Sequence, residues 1–191
     1  MAKLIFITHP EVVIDPAVPV PRWRLSDEGL ARMRMFTASA VVDGVTAVWA
    51  STETKAIEGA GILAARFGTG VSVDEGLGEN DRSATGYLPG AEFEAMADAF
   101  FAAPEESVRG WERAIDAQAR VVAAVRRIVA EHGAGDLAIV AHGAVGALSM
   151  CALAGQPISR AADQPFAGHY WVAELPGLSI MEGWKPIAPR A

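Results

Sequence analysis

Leu4-Ile5-Phe6-Ile7-Thr8-His9-Pro10 is the stretch on which the reading of the fold turns. Four large apolar residues and a threonine have the length and composition of a strand buried on both faces, the kind found inside parallel sheets. The run stops at a histidine, and Pro10 has no N–H to continue a ladder. The pattern recurs at Leu137-Ala138-Ile139-Val140-Ala141-His142-Gly143. Ligands of open α/β sheets bind outside the carboxyl ends of the strands. Two buried strands that each end in an imidazole therefore predict one pocket in which His9 and His142 meet.

Strand-like runs alternate with helical patterns along the rest of the chain. This predicts an α/β fold: a three-layer sandwich with a mostly parallel central sheet, helices on both faces and an edge hairpin. Residues 1–191 are expected to form one domain, with length enough for a sizeable core and no repeat or low-complexity linker. A proline-rich loop follows the first strand. Ser26 reads as the N-cap of a helix running to about Val42, with Asp27 and Glu28 at the positive end of its dipole. Val45–Ser51 reads as the second strand, followed by a helix capped by Ser51 or Thr52 and closed by Gly68. Val71–Val73 is a short strand. Glu75–Gly90 is long, polar and aperiodic, the mark of a functional loop. Ala91–Ala102 and Trp111–His132 read as amphipathic helices, and Gly143 opens a helix to about Ala154. His169–Leu175 and Leu178–Trp184 flank Pro176-Gly177 as a hairpin.

Charge and composition narrow the function. The chain carries 16 Lys+Arg against 23 Asp+Glu, a net charge of −7. That balance argues against nucleic acid and anionic membrane as partners, and leaves a small anionic substrate held by a few local cations. One cysteine, Cys151, fits a reducing compartment, and no apolar run has the length of a signal core or a bilayer span, so a cytoplasmic protein is expected. The hairpin bearing Trp171 and Trp184 offers an edge to a second copy of the chain, a route to a homo-oligomer.

The loop Glu79-Asn80-Asp81-Arg82 brings two carboxylates and a cation toward the two histidines. His132, in the last turn of the long helix, and His169, at the start of a hairpin strand, read as structural. Gly59-Ala60-Gly61-Ile62-Leu63-Ala64 spells a dinucleotide fingerprint, but Thr52–Glu58 separate it from its strand, so its glycines read as helix-packing residues. His9, His142 and Glu79 are able to ligate a divalent metal, though nothing in their spacing demands one.

The order of these landmarks resembles the histidine phosphatase superfamily, with its phosphoglycerate-mutase-like fold. Thr8-His9-Pro10 stands where the family has Arg-His-Gly. Leu25-Ser26-Asp27-Glu28-Gly29 fits its Leu-(Ser/Thr)-x-x-Gly segment, and Ser51-Thr52-Glu53-Thr54-Lys55-Ala56 its Ser-x-x-x-Arg-Ala turn. Leu77-Gly78-Glu79 matches a loop Leu-x-Glu, Glu106-Ser107 and Arg120-Val121 match the approach to a long helix, and His142-Gly143 closes the set. The resemblance implies phosphoryl transfer to a small phosphoester through a phosphohistidine at His9, with no cofactor and no metal. Glu79, or alternatively Asp81, would protonate the leaving oxygen. His142 would stabilise charge on the equatorial oxygens, and Lys55 would hold the phosphate.

The departures fall on the phosphate clamp. Thr8 replaces one arginine and Lys55 another, so a charge and two planar forks are lost. Arg82 is the expected replacement cation, against the plainer reading of a surface arginine paired with Asp81 or Glu79. Thr8 remains a candidate phosphate contact through its hydroxyl. The alternative function is a catalytically weakened binding or regulatory protein on the same fold.

Overall fold

The computed structural model describes residues 2–190. Strands β1 (Lys3–Thr8), β2 (Val45–Ala50), β3 (Val71–Val73), β4 (Asp136–Ala141), β5 (His169–Glu174) and β6 (Ile180–Pro186) form one sheet in the order β3-β2-β4-β1-β5-β6. The four strands β3, β2, β4 and β1 are parallel, whereas β5 runs against β1 and β6 against β5. Helices α1 (Asp27–Thr37), α2 (Thr54–Phe67), α3 (Gly90–Ala102), α4 (Ala114–Glu131) and α5 (Gly143–Leu153) complete an α/β sandwich of the expected class.

Side-chain alternation along β1 builds both apolar layers. Ile5 and Ile7 pack with Met33 and Phe36 of α1 and Ala60 and Leu63 of α2. Leu4 and Phe6 face the other way, against Val121, Val125 and Ile128 of α4 and Val145 of α5. Each fully buried Leu, Ile or Phe contributes about 1.5–3 kcal/mol, so the central strands are held from both sides. A third cluster joins Met96 and Phe100 of α3 to Trp111, Ala114 and Leu148, and roofs the carboxyl ends of the strands.

Several expectations shift. α1 stops at Thr37, and Ala40–Val42 form a separate short helical turn. α2 starts at Thr54 with Glu53 at the N-cap position; Ser51 Oγ lies 2.7 Å from His142 Nε2 and accepts the Glu53 N–H at 3.3 Å. α4 starts at Ala114; Trp111 instead lies buried against α3. Gly59 sits inside α2 over Val140 and Met33, a packing role. Trp171 is not available to a second copy: it is fully buried and stacked on Phe6 at 4.8 Å. Trp184 also turns inward, donating to the Ala162 carbonyl at 2.7 Å. No helix among the described residues is long and apolar enough to cross a membrane.

One buried charge joins distant parts of the chain. Arg32 of α1 is 2% exposed. Its guanidinium donates to the carbonyls of Ala167, Gly168 and Ala188 and to both carboxylate oxygens of Glu11. Gly29, one turn earlier, permits the approach: a Cβ there would lie 2.2 Å from the Glu11 carbonyl oxygen. That carbonyl accepts the N–H of Ser26 at 2.9 Å, so the turn after His9 lies directly on the start of α1.

Candidate active site

β1 and β4 are adjacent and parallel, so their last residues emerge side by side, and the His9 N–H donates to the Ala141 carbonyl at 3.1 Å. The His9 and His142 rings meet edge to face with centroids 5.3 Å apart. His9 is half-buried, and its Nδ1 lies 2.9 Å from the Pro10 carbonyl. A carbonyl only accepts, so Nδ1 carries the proton and Nε2 keeps its lone pair. Burial, then the Lys55 charge, pull the His9 pKa down to about 4, and the ring is neutral at physiological pH. Pro10 therefore costs the site an N–H but retains the carbonyl that fixes the tautomer.

His142 is fully buried. Its Nε2 lies 2.7 Å from Ser51 Oγ and 3.3 Å from Glu53 Oε1, while Nδ1 has no partner among the described residues. Burial pulls its pKa well below the ordinary imidazole value, although Glu53 acts in the opposite direction.

Glu53 is a site residue that sequence reading passed over, as an unspecified position between Ser51 and Lys55. It is buried, accepts the Glu79 N–H at 3.0 Å and forms an ion pair with Lys55. Burial works against its charge, but the His142 ring, the Lys55 ammonium and the Glu79 N–H hold its carboxyl down to about 2. Lys55 is buried and also donates to the Val20 carbonyl at 3.0 Å. Its charge is thus met locally by Glu53.

The loop carrying Glu79 is clamped by Arg120 of α4, which donates to the carbonyls of Gly76, Gly78 and Glu79 and pairs with Glu112. The Glu79 carboxylate accepts the N–H groups of Asn80 at 3.1 Å, Ala144 at 3.3 Å and Val145 at 3.1 Å, and so caps α5. Asp81 is exposed and accepts the Ser83 N–H at 2.8 Å. Arg82 pairs with neither neighbour. Its guanidinium stacks 5.1 Å over Phe93 and 5.6 Å over Trp111, with no carboxylate partner among the described residues.

A cavity of about 330 Å³ lies outside the strand ends, bordered by His9, Glu79, Arg82, Asp163 and Gln164 under the α3 aromatics. Asp81 borders a different cavity, beside the proline-rich loop. Thr8 is turned from this space: its hydroxyl donates to Gln164 Oε1 at 2.5 Å and accepts the His169 N–H at 2.9 Å. Gln164 also abuts Gly143, where a Cβ would sit 2.5 Å from its Nε2. Asp163 and Gln164 lie in an aperiodic segment, and no local sequence signal marks them. Burial pushes the Asp163 carboxyl up to about 6. His169 is buried with Nδ1 on the Phe166 carbonyl, and His132 Nε2 lies on the Gly135 carbonyl, both structural uses. Arg109 and Arg113 pair with Glu92 and Asp116. Among the described residues no three His, Cys, Asp or Glu side chains converge as metal ligands, so His9, His142 and Glu79 do not form such a set.

The fold recurs in solved structures. The chain superposes on Bacillus stearothermophilus YhfR with a TM-score of 0.79 at 24% identity, covering 99% of this chain and 98% of that one. A mycobacterial glucosyl-3-phosphoglycerate phosphatase gives 0.78 at 20%, with both chains covered in full. A phosphoserine phosphatase from Entamoeba histolytica, in complex with 3-phosphoglyceric acid, gives 0.76 at 14%, with 97% of each chain covered. At such identities the likeness is one of fold. No curated protein matches the chain. The family match runs over residues 20–172; it starts after His9, whose correspondence rests on its place at the end of β1 beside His142. With most of its length inside that match, the chain belongs to the histidine phosphatase superfamily, branch 1.

Proposed function

We propose that the chain is a phosphoryl-transfer hydrolase that acts on a small phosphoester through a phosphohistidine at His9. The observation that carries this reading is the meeting of His9 and His142 at 5.3 Å, with Nδ1 of His9 committed to the Pro10 carbonyl. Nε2 is then the nucleophilic nitrogen. Its lone pair forms a P–N bond as the P–O bond to the leaving group breaks, and a cavity carboxyl protonates the departing oxygen. Water then attacks phosphorus, the same carboxyl takes its proton, and the P–N bond breaks to release phosphate. By the family pattern that carboxyl is Glu79. His142 serves the equatorial oxygens when the Ser51 hydroxyl donates to Nε2, which places the imidazole proton on the unpartnered Nδ1. Arg82, and Lys55 behind it, supply the positive charge. Two structural neighbours carry small phosphorylated acids in their descriptions, in keeping with a small anionic substrate.

A second reading has its own support. Thr8 brings no charge and Glu53 meets that of Lys55, which favours a weakened enzyme that binds or regulates on the same fold. Incubation with an aryl phosphate, wild type against His9→Ala, separates the two. Turnover that requires His9, with an acid-labile phosphoryl adduct on that residue, supports the hydrolase. Phosphate binding without turnover of several phosphoesters supports the binder.

A further inference from the structure

Arg82 borders two cavities besides the one that holds His9. The larger, about 660 Å³, lies along the proline-rich loop and shares Glu79, Asn80 and Arg82 with the His9 cavity. The smaller, about 240 Å³, is lined by Ile14, Trp23, Leu88 and Phe93 and shares Val20, Arg82, Gly86 and Tyr87 with the larger. Together they form a mainly apolar cleft that adjoins the His9 cavity at Arg82, in the size range of a small-molecule site.

The wall of this cleft is held in place by the protein itself. Pro16, Pro19 and Pro21 stiffen the loop that forms it. The Trp23 indole N–H donates to the carbonyls of Asp15 at 2.9 Å and Val18 at 3.0 Å, and its ring meets Tyr87 with centroids 5.5 Å apart. Lys55, in the family's arginine position, donates to the Val20 carbonyl at 3.0 Å. The residue that departs from the family pattern thus pins the cleft wall. Ile14 is 58% exposed and Tyr87 37%, so large apolar side chains stand in water at the rim.

Charge limits what the cleft can hold. Among the described residues its charged borders are Glu53, Glu79, Asp81 and Arg82. Glu53 is matched by Lys55, and Arg82 is the cation assigned to the phosphoryl group. Arg22 and Arg24 of the same loop border neither cavity. Arg160, on the His9 cavity, is divided among three carboxylates. A second acidic group on the substrate would meet Glu79 and Asp81 without a free cation, and an unpaired charge taken from water is costly.

We propose that this cleft receives the alcohol part of the phosphoester, and that the substrate is the monoester of a bulky, uncharged, largely apolar alcohol. The inference rests on the phosphoester reading above. The phosphoryl end lies between His9 and Arg82, and apolar burial in the cleft selects the alcohol. Such a substrate differs from the phosphorylated acids named for two structural neighbours.

The test uses the full chain and three aryl esters with leaving groups of similar acidity: phenyl, β-naphthyl and p-carboxyphenyl phosphate. Ratios of kcat/KM between them cancel effects on the phosphoryl step. The naphthyl ester is expected to exceed the phenyl ester by roughly 10–100-fold, and the carboxyphenyl ester to fall below it. Tyr87→Ala should shrink the naphthyl preference. Ser83→Lys, at an exposed position on the cleft, should raise the carboxyphenyl-to-phenyl ratio by roughly 2–5-fold, the scale of an exposed ion pair. Calorimetry with naphthylmethylphosphonate and benzylphosphonate reads the same preference without turnover. Equal kcat/KM for the naphthyl and phenyl esters, a wild-type preference for the carboxyphenyl ester, or unchanged ratios in both variants overturns the inference and leaves the hydrolase standing. Tighter binding of the naphthyl phosphonate with no ester turned over overturns the hydrolase and keeps the cleft assignment.

Discussion

Replacing Arg82 by alanine tests how the site manages charge. Of the cations near His9, Lys55 is matched by Glu53 and Arg160 is divided among three carboxylates. Arg82 alone borders the cavity with no carboxylate partner among the described residues. A preorganised donor aimed at developing charge contributes about 3–4 kcal/mol, so Arg82→Ala should lower kcat by roughly 10²–10³-fold. Stability should change far less. The guanidinium is half-buried over Phe93 and Trp111, and such contacts contribute about 0.5–1 kcal/mol each at partly exposed positions. The assay is steady-state hydrolysis of p-nitrophenyl phosphate with inhibition by vanadate, alongside urea denaturation. Arg82→Lys, which keeps the charge and loses the plane, should fall between wild type and alanine. Unchanged vanadate inhibition in Arg82→Ala would refute the view that this residue replaces the lost clamp.

Two further perturbations probe the same framework. The folded chain binds a proton at His9 only near pH 4, whereas an unfolded imidazole does so near 6.5, so this group makes the protein less stable as pH falls through that window, by about 3 kcal/mol in all. Asp163 has the opposite sign: its carboxyl is raised from 3.8 to about 6, and its contribution, of order 3 kcal/mol, is lost as pH rises through that interval. His9→Gln should therefore leave stability declining more steeply with rising pH, and Asp163→Asn should leave it rising, as read from urea midpoints; identical slopes in all three proteins would contradict both assignments. Gly29→Ala should lower stability by about 1–3 kcal/mol, because the new Cβ meets the Glu11 backbone oxygen, which has no room to yield; a thermal melt at wild-type values would show otherwise.

The parts of this molecule legible in its sequence are those set by local rules. The apolar runs at β1 and β4 are buried on both faces, so composition alone marks them, and parallel pairing then brings their terminal histidines together. Gly68 was legible as a helix stop because the chain adopts a left-handed conformation there, φ 62°. Glu53 was not legible: its meaning depends on a histidine at the far end of another strand. Ser51 illustrates the same limit, since a hydroxyl beside a helix start reads as a cap until a buried imidazole claims it. Asp163 and Gln164 reach the cavity through a bond to Thr8, a pairing no periodicity encodes. Where the Trp171 side chain goes was not legible, because a large aromatic in a hairpin strand fits a free edge or a core equally well by pattern, and the stacking on Phe6 decides for the core.

The carbonyl of Ala188 is held by Arg32, and the same guanidinium holds Glu11, two residues past His9. A change at the chain's tail is thereby mechanically wired to the turn after His9 without entering the cavity. Clipping the tail ahead of Ala188 would leave donors of a 2%-exposed guanidinium without their acceptor, and an incompletely met buried charge costs several kcal/mol. The turn that carries the His9 ring would loosen first, so fusions and truncations at that terminus are expected to disturb the His9 pocket as well as folding.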